Sequence, residues 1–398
     1  MSSGYLQLAT KGAQDVYLTD QPQITFFKSV YRRHLPFSKD TRPLRKVGDA
    51  GPGKEIVVEI DNIGDLLSGV YIQMKIPTLF SPPNTDDFIN YCKAYSFIES
   101  ASCYIGDQLI DRITPEIHQA RSFYKAKVSQ TNDNTPGFDI GDPLILMMGG
   151  YYEYNKTLWI PLQFWFGESL GQAFPLIALQ YKKMSIRIKF AEQHIAEGTI
   201  QPMDELYYEN KDVEVWGNFV YLDPQEKKKY AEKEHQYLIN QHQRTVVTDE
   251  FTAGQEYKIR LNFLHPCSYI AWCLLGSGNK NLPTANEGTD NDFGFSKANI
   301  MVDGKPIVDD KSIGYFHYYQ VYNNFGTLVN PLPTFLYSFS LNGSESVQPS
   351  GSLNFSRVNN AHLLVTPTVT GVRTIVTWTE NFNILRVTSG QAGIAYVN

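Results

Sequence analysis

The residues most able to do chemistry are spread thinly along this chain. The eight histidines stand at positions 34, 118, 194, 235, 242, 265, 317 and 362, with no His-x-His pair among them. His235 and His242 are seven apart and can share one helix face, which is too little for a metal site. No H-E-x-x-H helix motif, G-x-x-x-x-G-K-[ST] phosphate loop or G-x-S-x-G nucleophile turn occurs, and Gly276-Ser-Gly278 is too short for a dinucleotide fingerprint. Cys92, Cys103, Cys267 and Cys273 have no C-x-x-C spacing and read as buried, reduced thiols. Glu287, Asp290 and Asp292 lie in a polar loop and lack the spaced Gly and closing Glu of a calcium loop. No nucleophile, base and oxyanion donor come together. The expectation is a protein that is not an enzyme, with no catalytic residues, cofactor, metal or small-molecule substrate.

One charged segment is unusual. Lys28, Arg32, Arg33, Lys39, Arg42, Arg45 and Lys46 face a single acid, Asp40, a net +6 over nineteen residues. The whole chain carries 35 Lys and Arg against 41 Asp and Glu, a net −6, so the remainder stands at −12. Three readings are open for the segment: ion pairing inside the protein or at a subunit contact, docking of acidic protein partners, or contact with phosphates. The overall charge argues against a surface committed to nucleic acid. The run Lys227–Lys229 alternates with Glu226, Glu232 and Glu234 and reads as a solvated helix.

The elements that would carry these residues are mostly strands. Charged residues make up 19% of the 398, below the roughly 25% usual in soluble domains, while aromatics make up 13%. Such a composition excludes disorder and helical bundles. Period-2 alternation marks Glu55–Ile60, Gly69–Ile76, Ser185–Phe190 and Val213–Tyr221 in the first half. In the second half it marks Glu256–Phe263, Thr334–Leu341, Val372–Trp378 and Phe382–Val387. Long turn-rich loops are expected at 81–90, 129–142 and 276–294. Asp20–Arg33 reads as a short helix, and Asp223–Tyr237 as a capped, charged helix with Pro224 at its first position. The latter falls between halves holding about seven or eight strand-like runs each, which predicts two β-sandwiches. No secretory signal is visible at the N-terminus and no apolar run is long enough to span a membrane; Leu261–Gly276 comes nearest. Three N-x-[ST] sites, at Asn155, Asn342 and Asn354, predict nothing without secretion.

Four ordered blocks carry a resemblance. Gly12–His34 resembles the opening of major capsid proteins of nucleocytoplasmic large DNA viruses, of the chlorella-virus and mimivirus type. Ile160–Phe166 with Phe174–Tyr181, then Gln348–Arg357, then Asn383–Val387 with Ser389-Gly390 and Gly393–Tyr396, resemble later signatures of the same family. What the resemblance implies is an all-β double jelly roll: two consecutive eight-stranded antiparallel sandwiches with few short helices. The expected division is an N-terminal arm at 1–26, a first jelly roll at 27–222, a helical linker at 223–237 and a second jelly roll at 238–398.

The implied function is structural. Three chains would form a near-hexagonal homotrimer that tiles an icosahedral shell around an internal membrane. Its partners would be neighbouring capsomers and minor capsid proteins, with the membrane surface a further candidate and no specific nucleic acid. Such a protein belongs to the virion and is assembled in the host cytoplasm, not secreted. On this reading the segment holding Lys28, Arg32, Arg33, Lys39, Arg42, Arg45 and Lys46 lies on the inner face. The moderate loop at 276–294, and Asp20-Gln21 where a Gly-Asn turn is expected, fit a shorter paralogue. The alternative is a carbohydrate-binding jelly-roll module using exposed aromatics and loop carboxylates.

Overall fold

The computed structural model describes residues 21–29, 31–75, 97–124, 151–153, 157–196, 199–202, 208–275, 294–326, 334–345 and 347–397, with Tyr5, Ala9 and Thr19. The loops expected at 81–90 and 129–142, most of that at 276–294, and Cys92 lie outside the described residues. Contacts divide the chain into Met1–Pro36 and Phe37–Asn398. In the first unit, residues 21–29 and 31–36 hold neither helix nor strand, so the helix expected over Asp20–Arg33 is not formed there. Its apolar side chains Ile24, Phe26, Phe27 and Tyr31 are exposed, and no buried stripe is available to nucleate a helical turn.

The second unit is built from strands. Its first half holds β1 (Phe37–Pro43), β2 (Arg45–Val47), β3 (Glu55–Ile60), β4 (Leu66–Lys75), β5 (Ile98–Ile105) and β6 (Gln108–Ile113). Then come β7 (Tyr151–Glu153), β8 (Thr157–Leu162), β9 (Phe174–Pro175), β10 (Met184–Phe190), β11 (Gln193–Ala196), β12 (Thr199–Pro202) and β13 (Val213–Leu222). One sheet runs β1-β13-β4-β8-β7 with β9 beside β4; its companion runs β2-β3-β10-β5-β6; β11 and β12 pair alone. The second half holds β14 (His235–Phe251), β15 (Tyr257–Arg260), β16 (Pro266–Leu275), β17 (Phe295–Val302), β18 (Lys305–Ser312) and β19 (Thr334–Ser338). It ends with β20 (Leu353–Asn354), β21 (Ala361–Pro367), β22 (Gly371–Thr388) and β23 (Gln391–Ile394). Its sheets run β14-β22-β16-β19 and β15-β21-β17-β18. Leaving aside the short additions, the two halves share one strand order: β1-β13-β4-β8 matches β14-β22-β16-β19, and β3-β10-β5-β6 matches β15-β21-β17-β18. This is a double jelly roll, in agreement with the sequence expectation.

Burial follows the alternation. In β3 the side chains of Ile56, Val58 and Ile60 are buried while their neighbours are not. Each fully buried aliphatic contributes about 1.5–3 kcal/mol by leaving water. The apolar run Leu261–Gly276 has a different cause. Within it, β16 is buried on both faces. Ile270, Trp272 and Leu274 fill the second sandwich, while Tyr269, Ala271, Cys273 and Leu275 join the core cluster of the first. A strand covered on both sides reads as a continuous apolar run.

The helices are short. Among the described residues after Pro36 they are α1 (Pro115–Tyr124), α2 (Pro224–Glu232) and α3 (Gln320–Phe325), the last entered through a π-turn at Tyr315–Tyr319. At the start of α2 the Asp223 carboxylate accepts from the Gln225 N–H at 3.1 Å, with Pro224 next, as the sequence predicts. It stops at Glu232 because β14 begins at His235. One other expectation changes. The runs Val372–Trp378 and Phe382–Val387 are one 18-residue strand, β22, whose middle residues Thr379, Glu380 and Asn381 are polar and buried. Between β9 and β10 the chain makes a 3-10 turn over Leu176–Ala178.

Candidate assembly interface

The two jelly rolls meet where β6 and α1 of the first pack against β14 and β22 of the second, and the contact is charged. His242 on β14 places Nδ1 3.1 Å from the Asp111 carboxylate of β6, and its backbone N–H donates to the same group at 2.8 Å. Both side chains are 1% exposed or less. Glu380 on β22 lies 3.7 Å from His242 Nε2, 3.4 Å from Arg121 Nε of α1, and accepts from Asn240 Nδ2 at 2.9 Å. Arg121 also pairs with Glu168 and donates to the Gln163 carbonyl at 2.6 Å. Arg244 on β14 pairs with Glu116 at the start of α1. Beside them Tyr124 of α1 donates to Thr334 Oγ1 of β19 at 3.2 Å and stands edge-on to Tyr269.

These charges tune one another. Burial opposes a charge on His242, but Asp111, through its charge and hydrogen bond, together with Glu380 outweighs burial and the repulsion of Arg121, so the ring titrates above its ordinary range. His118, one helical turn before Ser122, is driven well below its ordinary range by burial and by Arg121 and His242. Buried ions are costly unless their partners are all in place. Here each lies within a network drawn from both sandwiches, which fixes one sandwich against the other.

The motif blocks take part in the same junction. Phe164, Trp165, Phe166 and Phe174 form a buried aromatic cluster, with Trp165 edge-on to Phe166 at 5.1 Å and to Phe174 at 6.4 Å. Gln180 and Tyr181, in the first sandwich, donate their backbone N–H groups to the Gly390 carbonyl of the second at 3.0 and 3.1 Å. Ser389 and Gly390 both have positive φ, 51° and 76°, and make the two-residue turn from β22 to β23. Within the third block, Gly351 takes φ +147°, and a Cβ there would meet the Phe339 carbonyl at 2.6 Å.

The basic segment is distributed over three places. Lys28, Arg32 and Arg33 lie exposed in the Met1–Pro36 unit. Lys39 and Arg42 are exposed on β1, and Arg45 and Lys46 sit on β2, which belongs to the other sheet. Arg42 pairs with Asp40 at 2.6 Å. Lys46 is used internally: its ammonium donates to the carbonyls of Asn210 and Val213, and burial pulls its pKa down against Glu214, Asp49 and Asp212. Lys28, Arg32, Arg33, Lys39 and Arg45 make no ion pair among the described residues. The sequence reading missed Asp111, Arg121, Glu168, His242 and Glu380; the polar break inside β22 was their one visible trace. Glu287, Asp290 and Asp292 lie outside the described residues, and no metal-binding cluster occurs among those described.

Two sandwiches of matching strand order, locked by a buried charged junction, define a double jelly-roll protein. Residues 25–223 match the family described as "Major capsid protein N-terminus", and residues 226–393 that described as "Large eukaryotic DNA virus major capsid protein". The major capsid protein of Paramecium bursaria Chlorella virus 1 is 30% identical, and that of Pyramimonas orientalis virus 31%, each alignment covering 100% of both chains. Among solved structures, VP54 of PBCV-1 superposes with a TM-score of 0.75 at 25% identity, over 94% of this chain and 100% of that one. The Faustovirus major capsid protein shares the fold, with a TM-score of 0.65 at 12% identity over 95% of this chain and 94% of its own. The chain belongs to the major capsid protein family of large eukaryotic DNA viruses and is a structural protein of the capsid.

Proposed function

We propose that three copies of the chain form a near-hexagonal homotrimer, and that such trimers tile an icosahedral shell around an internal membrane. The observation that carries this is the repeated strand order: two like sandwiches per chain give six like edges from three chains. Cyclic closure lets one heterologous contact, used three times, complete the ring. The scarcity of charge and the abundance of Tyr and Phe fit lateral surfaces that neighbours cover. Assembly takes place in the host cytoplasm. The exposed cations Lys28, Arg32, Arg33, Lys39, Arg42 and Arg45 meet minor capsid proteins or the anionic membrane surface on the inner side, with Lys46 bracing the strand beside them. The chain acts without catalysis or cofactor.

Light scattering on the purified chain tests this: the expected mass is that of three 45.2 kDa copies, and a monomer at micromolar concentration overturns it. A density map of the assembled particle that places residues 28–46 on the outward face removes the inner-face assignment.

A further inference from the structure

The first unit exposes large apolar side chains beside cations. Ile24, Phe26, Phe27, Tyr31 and Leu35 all stand in solvent, Phe26 at 90% and Phe27 at 99% exposure. Lys28, Arg32 and Arg33 are exposed among them, and no Asp or Glu occurs from 21 to 36. A cluster of exposed apolar groups marks a surface made to be covered. Aromatic rings beside cations, with no acid between them, suit a membrane interface. There the rings sit at headgroup level and Lys and Arg meet the phosphates of anionic lipids.

The order of these residues carries a second signal. The sequence predicts a helix here, yet residues 21–29 and 31–36 hold none. Wound at about 100° per residue, Ile24, Phe26, Phe27, Tyr31 and Leu35 fall within one arc of about 180°. Of the polar residues from 25 to 34 only His34 enters that arc. Arg33 borders it on one side, and Lys28 followed by Arg32 on the other. In water such a helix has no apolar phase for its stripe, and a segment this short does not hold a helix alone. A bilayer interface supplies that phase, and it leaves the backbone groups to pair with one another. A protein groove instead recognises a fixed shape, which this segment does not offer before it is ordered. A fluid interface asks only for the two-sided pattern.

Resting on the inner-face reading of the basic segment, we propose that this arm folds into an amphipathic helix on an anionic lipid bilayer. Ile24, Phe26, Phe27 and Tyr31 enter the interface, while Lys28, Arg32 and Arg33 hold lipid phosphates. The long stems of the cations let their charged heads stay in the headgroup layer while the rings lie deeper. Apolar burial and charge attraction then act together, and the loss of either weakens the contact.

Vesicle co-sedimentation of the full chain tests this. Binding to vesicles of phosphatidylserine and phosphatidylcholine should be at least tenfold tighter than to phosphatidylcholine alone. The amides of Phe26, Phe27, Arg32 and Arg33 should gain hydrogen-exchange protection on the anionic vesicles. Phe26→Ser with Phe27→Ser keeps every charge and, at exposed positions, leaves the jelly rolls folded; it should weaken binding at least tenfold. Phe27→Trp should be quenched by brominated lipid beyond the quenching of the wild type. A trimer by light scattering that ignores anionic vesicles overturns the membrane helix alone and leaves the arm to a protein partner. Binding unchanged by the double serine variant also overturns it, leaving bare charge attraction. A particle map with residues 28–46 on the outward face overturns the inner-face reading and the membrane helix with it.

Discussion

Arg121 meets carboxylates on two sides and a carbonyl on a third, with its side chain 2% exposed. Replacing it with methionine leaves Glu168 and Glu380 buried without their cation. The expected cost is about 3–5 kcal/mol, read as a fall in the urea midpoint. Lys228→Met, which removes an exposed pair with Glu232, should cost less than about 1 kcal/mol. His242 gives the junction a pH dependence of known sign. Its folded pKa is raised, so its stabilising contribution is complete below the ordinary value of about 6.5 and is lost as pH rises through the raised value. His118, whose pKa is lowered, acts oppositely and withdraws stability as pH falls below the ordinary value. As pH rises above about 6.5 the wild type should lose stability relative to His242→Gln in parallel urea titrations; parallel curves would remove His242 from the account.

At the scale of elements, two glycine turns differ in how they tolerate a side chain, one at the contact between the sandwiches and one inside the second. Gly390 has φ +76°, and an added Cβ would stand 2.9 Å from ring carbons of Tyr181, an exposed side chain able to move. Gly351 has φ +147°, and its added Cβ would meet a backbone carbonyl at 2.6 Å, which cannot move independently. Strained backbone of this kind costs about 1–3 kcal/mol. Gly351→Ala should therefore lower the melting temperature more than Gly390→Ala; the reverse order would mean that the Tyr181 contact is the tighter constraint. The long strands β14 and β22 pair along their whole lengths and bring the charged junction residues from both into one layer. In sequence β14 reads as a polar stretch, HQYLINQHQRTVVTDEF, because one part of it faces the junction and another faces water. Strands such as β3 and β10 were legible because each has one face in a core and one outside it. In β14 and the middle of β22, polar side chains occupy buried positions and erase the period.

For the whole molecule, the division at Pro36 predicts that removing residues 1–36 leaves the jelly rolls folded. The truncated chain should melt within a few degrees of the full chain while binding anionic vesicles more weakly, since Lys28, Arg32 and Arg33 are gone. Equal vesicle binding would shift the phosphate reading away from these three residues. The linear order of the chain was enough to locate most strands, the capped helix at Asp223, two halves of similar content and a family resemblance. These are written in short-range patterns of polarity and in contiguous motifs, which need no knowledge of the remainder of the chain. Folding alone revealed the junction. His242 and Asp111 are 131 residues apart, and Arg121 and Glu168 are 47 apart. As letters they do not differ from solvated surface charges. Their buried, paired character exists only once two sheets from different halves exclude water between them, because the strength of a charge depends on the medium around it.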